Sequence, residues 1–158
     1  MVGCCLVDRL YNNISFSDSS FSNYLSKNSG DGGLTPGQLV FKEEFEKYGK
    51  KDFADILKQI TNGKAPDKIN IGGPGVVPLI HASQMLDPKH CECRFYGCGG
   101  KDADGEYISS TLEQMNLSVD NYHLSGKNTP ATDVLSDPGF DNGNGERIFI
   151  NSIAAAWD

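Results

Sequence analysis

Apolar residues fall along this chain in two kinds of pattern. The opening Val2-Gly3-Cys4-Cys5-Leu6-Val7 is almost continuously apolar, as buried parallel strands are; it predicts a central strand over residues 2–7 with Asp8 at its carboxyl end. Phe41, Phe45 and Tyr48, then Phe53, Ile56, Leu57 and Ile60, recur at helical spacing and predict two amphipathic helices separated near Gly49. Residues 68–71 read as a short strand feeding Gly72-Gly73. Pro74 suits the first turn of the helix that follows, where its missing N–H costs nothing. That helix is expected to bury Val76, Leu79, Ile80 and Met85, with Pro78 tolerable only inside the first turn.

Further along, residues 94–96 predict a strand, Gly97 to Gly105 a loop, and Ile108, Leu112 and Met115 a helix. Strands follow at 122–124, 132–135 and 147–150, the last two joined by the turn-rich run 137–145. Strands alternating with helices define an α/β class, with an added β element near the end. Residues 12–33 are rich in Ser, Asn and Gly, so an irregular or partly extended segment is expected, anchored by Phe16, Phe21 and Tyr24.

Composition narrows the field. A chain of 158 residues makes one ordinary domain with a real core, rarely two. A net charge of -7 argues against a nucleic-acid partner, which needs a basic surface. It leaves room for a phosphate, because a nest of amide N–H groups binds one on an acidic protein. Cys4, Cys5, Cys91, Cys93 and Cys98 are odd in number and irregular in spacing, a poor disulfide framework; reduced thiols and a cytoplasmic location are expected. The apolar opening is too short for a signal h-region, and no run reaches transmembrane length, so no membrane partner is expected. The sequons at Asn13 and Asn116 are then chance matches.

Several constellations invite chemistry. Gly72-Gly73-Pro74-Gly75 lies between a strand and a helix, either a tight turn or a place where the helix N-terminus offers N–H groups to a ligand. It lacks the Lys-Ser or Lys-Thr of a P-loop. Asp8, at the end of a strand, can accept two hydrogen bonds from adjacent hydroxyls, or it is a solvated loop residue or helix cap. Residues 102–113 mimic a calcium loop, yet Tyr107 stands where a sharp turn demands glycine. Cys91-Glu92-Cys93, with His81 and His90 nearby, lacks a second pair and gives no metal site. Gly30-Asp31-Gly32-Gly33 has no apolar strand leading into it and reads as a loop.

Taken in order, these residues resemble the amino-terminal half of a PfkB/ribokinase-type carbohydrate kinase. Gly3 and Asp8 match that family's opening strand and hydroxyl-binding Asp; Gly72-Gly73 match its first glycine signature. Gly97, Gly100, Asp102 and Gly105 fit its Gly-x-x-Gly-x-Asp-x-x-Gly run, continued by Leu112, Leu117, Val119 and Asp120. Thr129-Pro130-Ala131-Thr132 and Gly145-Glu146-Arg147, the latter leading through Ile148-Phe149-Ile150 to Ala154-Ala155-Ala156, complete a resemblance that spans nearly the whole chain. Val77 departs from it, standing where the family has an Asn that hydrogen-bonds substrate. The long segment between Asp8 and Gly72 is similar to that of adenosine-kinase-like branches and keeps a nucleoside open beside a sugar.

The resemblance implies a ribokinase-like three-layer α/β/α fold with a small β-strand lid, truncated here. Residues 1–158 would form the substrate-binding half of one domain, with lid strands from within 8–40 and 120–152. The implied reaction moves the ATP γ-phosphoryl group to a hydroxyl of a sugar or nucleoside. Substrate-binding groups would be Asp8, Gly72, Gly73 and Val77. No catalytic, cofactor-binding or metal-binding residue is assigned within the chain: the general base lies beyond Asp158, with most of the site for ATP and Mg2+. A homodimer through the lid strands is a further possibility carried by the family. The alternative is a non-catalytic sugar-binding or sensor protein on the same scaffold.

Overall fold

The helical spacing of aromatic and aliphatic residues between 41 and 60 yields two short helices that share one core. The structure, a computed structural model, describes residues 1–157. Its elements run β1 (Leu6–Asn12), α1 (Ser19–Ser22), β2 (Leu39–Phe41), α2 (Lys42–Gly49), α3 (Phe53–Ile60), β3 (Lys68–Gly72), α4 (Val76–Met85), β4 (Cys93–Gly100), α5 (Ala103–Gln114), β5 (Leu117–Ser125), β6 (Ala131–Asp137) and β7 (Glu146–Ser152). A 3-10 turn at Ala154–Trp157 follows. Five strands pair in the order β2-β7-β6-β1-β3, and β4 pairs with β5.

The chain divides into two compact units. One comprises Met1–Asp8, Asn70–Ala131 and the segment from Ile153 onward. Its centre is a parallel βαβ unit: β4 and β5 run side by side from Cys93 opposite Leu117 to Gly100 opposite Ser125, with α5 as the crossover. Phe95, Ile108, Leu112 and Val76 are fully buried in its core, and Cys5, Val7 and Tyr122 join them.

The other unit comprises Arg9–Ile69 and Thr132–Ser152. Strand β2 pairs in parallel with β7, Leu39 opposite Phe149. Phe45 lies at 0% exposure, with the Tyr24 and Phe53 rings edge-on to it at 5.9 and 6.4 Å. The polar 12–33 segment is held as expected: Phe16 and Phe21 stack at 4.8 Å, and Tyr24 donates its hydroxyl to Gln59 at 2.8 Å.

Three local expectations differ from what is observed. The first strand starts at Leu6 and runs on to Asn12, so Asp8 sits inside it. The preceding residues are drawn instead toward β4: Val2 bridges Tyr96 in parallel, and Gly3 donates its N–H to the Tyr96 carbonyl at 3.2 Å. Residues 97–100 are strand, not loop, because backbone pairing with β5 continues through the glycines. Helix α4 is capped by Gly75, leaving Pro74 outside it and Pro78 within its first turn; Met85, expected in the core, is 85% exposed.

Replacing Phe45 with Ala should cost about 3–5 kcal/mol of stability, whereas Met85→Ala should stay within about 0.5 kcal/mol of the parent. Urea unfolding followed by circular dichroism checks both.

Candidate functional site

Within the first unit, Asp8 and the paired glycines converge. A β-carbon added at Gly72 would collide with the Asp8 carboxylate, lying 2.7 Å from its Cγ. The carboxylate therefore occupies the volume a side chain at position 72 would need. Asp8 is only half-buried, so a ligand can reach it. Next, Gly73 has φ of +114°, a conformation that L side chains rarely adopt, and any Cβ there would sit 2.5 Å from the Cys4 carbonyl oxygen. Gly3 and Gly75 then meet backbone to backbone: a Cβ on Gly75 would lie 2.7 Å from the Gly3 Cα. These close approaches bring the start of β1 and the turn before α4 into direct contact.

Val77, the fourth residue singled out, is on the same turn but has a different setting. Its side chain packs, partly buried, against the core around Phe95 and Leu112. Its N–H is already donated to the Gly73 carbonyl at 3.2 Å. Pro78 has no N–H to give. Helix α4 has no side-chain cap and no acid in its first turn, yet two of its first three residues offer a ligand no donor. The N-terminus is thus a poor anion site, and the half-buried Asp8 carboxylate stands beside it against Gly72.

The run Gly97-Cys98-Gly99-Gly100-Lys101-Asp102 turns out to be a clamp. Asp102 caps α5 by accepting the Gly105 N–H at 2.9 Å. Its carboxylate also accepts the Thr129 N–H at 2.8 Å and the Thr129 hydroxyl at 2.6 Å. Thr129, 3% exposed, accepts the Gly100 N–H at 2.9 Å through the same hydroxyl oxygen. The next residue, Pro130, accepts the Val7 N–H at 3.0 Å. Asp102 thereby fixes the backbone immediately before Asp8. The family resemblance marked Asp102 and Thr129 as motif members, but not that they bond each other across 27 residues.

Burial is the main influence on the thiols and the Tyr122 phenol of this unit. Cys4 is held above its usual thiol range, first by burial and then by the negative Asp8. Burial, followed by the neighbouring Cys4, pushes Cys5 up to about 12. Tyr122 is raised as well, chiefly by burial, and its hydroxyl has no hydrogen-bond partner. Among the described residues no three His, Cys, Asp or Glu side chains stand close enough to hold a metal ion. Residues 102–113, with their calcium-like spacing, are a capped helix.

In the second unit, the Gly30–Gly33 segment lines a pocket of about 370 Å³. Asp31 accepts the N–H groups of Gly33, Lys27 and Asn28 and is held down at about 2 by these bonds, the Gly33 contribution being largest. The loop satisfies its own donors. No described helix is long and apolar enough to cross a membrane. The expected position of the general base, beyond Asp158, lies outside the described residues.

This arrangement of strands and helices is that of the ribokinase-like α/β fold, to which solved nucleoside and sugar kinases belong. Adenosine kinase from Anopheles gambiae, solved with a di(adenosine) tetraphosphate, superposes with a TM-score of 0.63 at 18% identity over 98% of this chain. Adenosine kinase from Schistosoma mansoni in complex with 2-fluoroadenosine gives 0.61 at 19% over 99%, and ribokinase from Giardia lamblia 0.54 at 15% over 98%. The chain spans 38%, 38% and 33% of the length of those three chains respectively. No family model matches it, and no curated protein does.

Asp102→Ala removes a helix cap and two bonds to Thr129; a loss of about 2–4 kcal/mol is expected in urea unfolding. Cys5, buried and protonated, should resist iodoacetamide at pH 9 while exposed Cys91 is alkylated, as peptide mass spectrometry would reveal. Because its folded value lies above the unfolded one, Cys5 supports the fold fully below the unfolded value of 9.0, and that support drains away as pH rises toward about 12.

Proposed function

We propose that this chain is the substrate-binding part of an ATP-dependent kinase acting on a hydroxyl of a nucleoside or sugar. The carrying observation is the Asp8 carboxylate lodged against Gly72, half-exposed, beside the close-packed Gly73 turn. A carboxylate there accepts hydrogen bonds from adjacent ribose-type hydroxyls, while the glycines bring bare backbone within reach of the same molecule. The fold shared with adenosine kinases and ribokinases supports the same class of substrate.

In this reading the chain binds and orients the accepting molecule. Asp8 holds its hydroxyls, Gly72 and Gly73 supply a close backbone surface, and Val77 contributes an apolar wall. ATP and Mg2+ belong to parts of the whole protein outside these 158 residues, as does the base that takes the hydroxyl proton. A second reading, a binding protein without phosphate chemistry, is favoured by one observation: Val77 packs on the core and has no polar group for substrate.

Calorimetric titration with adenosine and with D-ribose should give measurable binding to one of them. Asp8→Asn should weaken it about 10- to 100-fold, the worth of a charged hydrogen bond, with the fold retained by circular dichroism. Unchanged affinity in Asp8→Asn would remove the basis of the proposal. With radiolabelled ATP, the 158-residue chain by itself should transfer no phosphate; robust turnover would place the catalytic base within it.

A further inference from the structure

Within the second unit, the segments that follow β1 and β6 are joined through one carboxylate. Asp137, 8% exposed, accepts the Phe16 N–H and the Gly139 N–H, each at 2.8 Å. Both segments line a cavity of about 570 Å³, whose walls also include Leu25, Pro36, Phe140 and Asp141. The Phe16 and Phe140 rings are tilted against each other at 5.8 Å. Leu25, Pro36 and Phe140 are only half-buried, so apolar surface is left uncovered there. A concave space of this size, with apolar walls and a few polar groups, has the character of a small-molecule site.

The charge on its wall has one sign. Among the described residues that line it stand two acids, Asp137 and Asp141, and no Lys, Arg or His. Neither acid takes part in an ion pair among the described residues. Two backbone amides offset the Asp137 charge in part, but a buried carboxylate without a cation beside it remains costly, and a positive ligand would relieve that cost. Each carboxylate oxygen also has a second lone pair to offer. The smaller cavity of this unit differs: Lys27 stands on its wall with Asp31, whose oxygens already accept three amides.

We infer that the larger cavity binds a small aromatic amine, its ring against Phe16 and Phe140 and its ammonium group at Asp137 and Asp141. An ammonium brings three donors and the missing charge, and a nearby aromatic face attracts it further. An alcohol of the same shape brings one donor and no charge; a carboxylate is repelled. Every residue of the site belongs to the second unit, so binding there stands or falls separately from binding beside Asp8.

The 158-residue chain would be titrated with phenethylamine, phenethyl alcohol and hydrocinnamate, and followed by amide NMR. The amine should shift Phe16, Leu25 and Phe140 with a Kd of about 1 mM or tighter. The alcohol should bind about tenfold more weakly, and the acid should not bind. Asp137→Asn is a poor variant, because its amide nitrogen would face a backbone N–H and destabilise the fold. Asp141→Asn keeps an acceptor for Asn144 and suits the left-handed backbone at φ +47°, so the parent spectrum should be retained while amine affinity falls about three- to tenfold. Equal affinity for amine and alcohol, shifts confined to residues outside this cavity, or no binding of the amine would each overturn the site, whether or not adenosine or D-ribose binds. Unchanged affinity in Asp141→Asn would overturn the seat of two carboxylates.

Discussion

Asp102 is the residue on which the candidate site depends most. One carboxylate caps α5, grips both the amide and the hydroxyl of Thr129, and so sets the carbonyl of Pro130 where Val7 can reach it. Charged acceptors make stronger hydrogen bonds than neutral ones, and half-burial protects these from competing water. Asp8, proposed above to hold a substrate's hydroxyls, thus follows backbone that a second acid fixes in place.

Glycine supplies the second constraint, at the contact between the chain's start and the turn before α4. Gly3 against Gly75, and Gly73 against the Cys4 carbonyl, are separations of backbone from backbone that no side chain permits. Interiors pack densely, so removing β-carbons at these points lets two segments touch where others would be held apart. The close packing at Gly72 works the other way: the space belongs to Asp8.

Much of this was legible beforehand, for identifiable reasons. The helices around Phe45 and Ile56 announce themselves because burial of one face imposes a 3.6-residue period that survives in sequence. Asp8 and Gly72 could be paired through their resemblance to a known motif order. What stayed hidden was decided by partners distant along the chain. Glycines 97, 99 and 100 read as a loop because glycine is locally permissive, yet pairing with β5 makes them strand. Met85 has the spacing of a core residue but lies at the last turn of α4, where the apolar stripe runs out into solvent. The role of Asp102 toward Thr129 spans 27 residues, and no local pattern encodes it.

Two of the first three residues of α4 offer no donor: Val77 gives its N–H to Gly73, and Pro78 has none. Beside it stands a negative carboxylate. A neutral hydroxyl compound meets acceptors there that it can satisfy, but the same molecule bearing a phosphate at that end would meet repulsion and few amides to offset it. If the proposed site holds an uncharged hydroxyl compound, the same chemistry would release it more readily once it carries a phosphate.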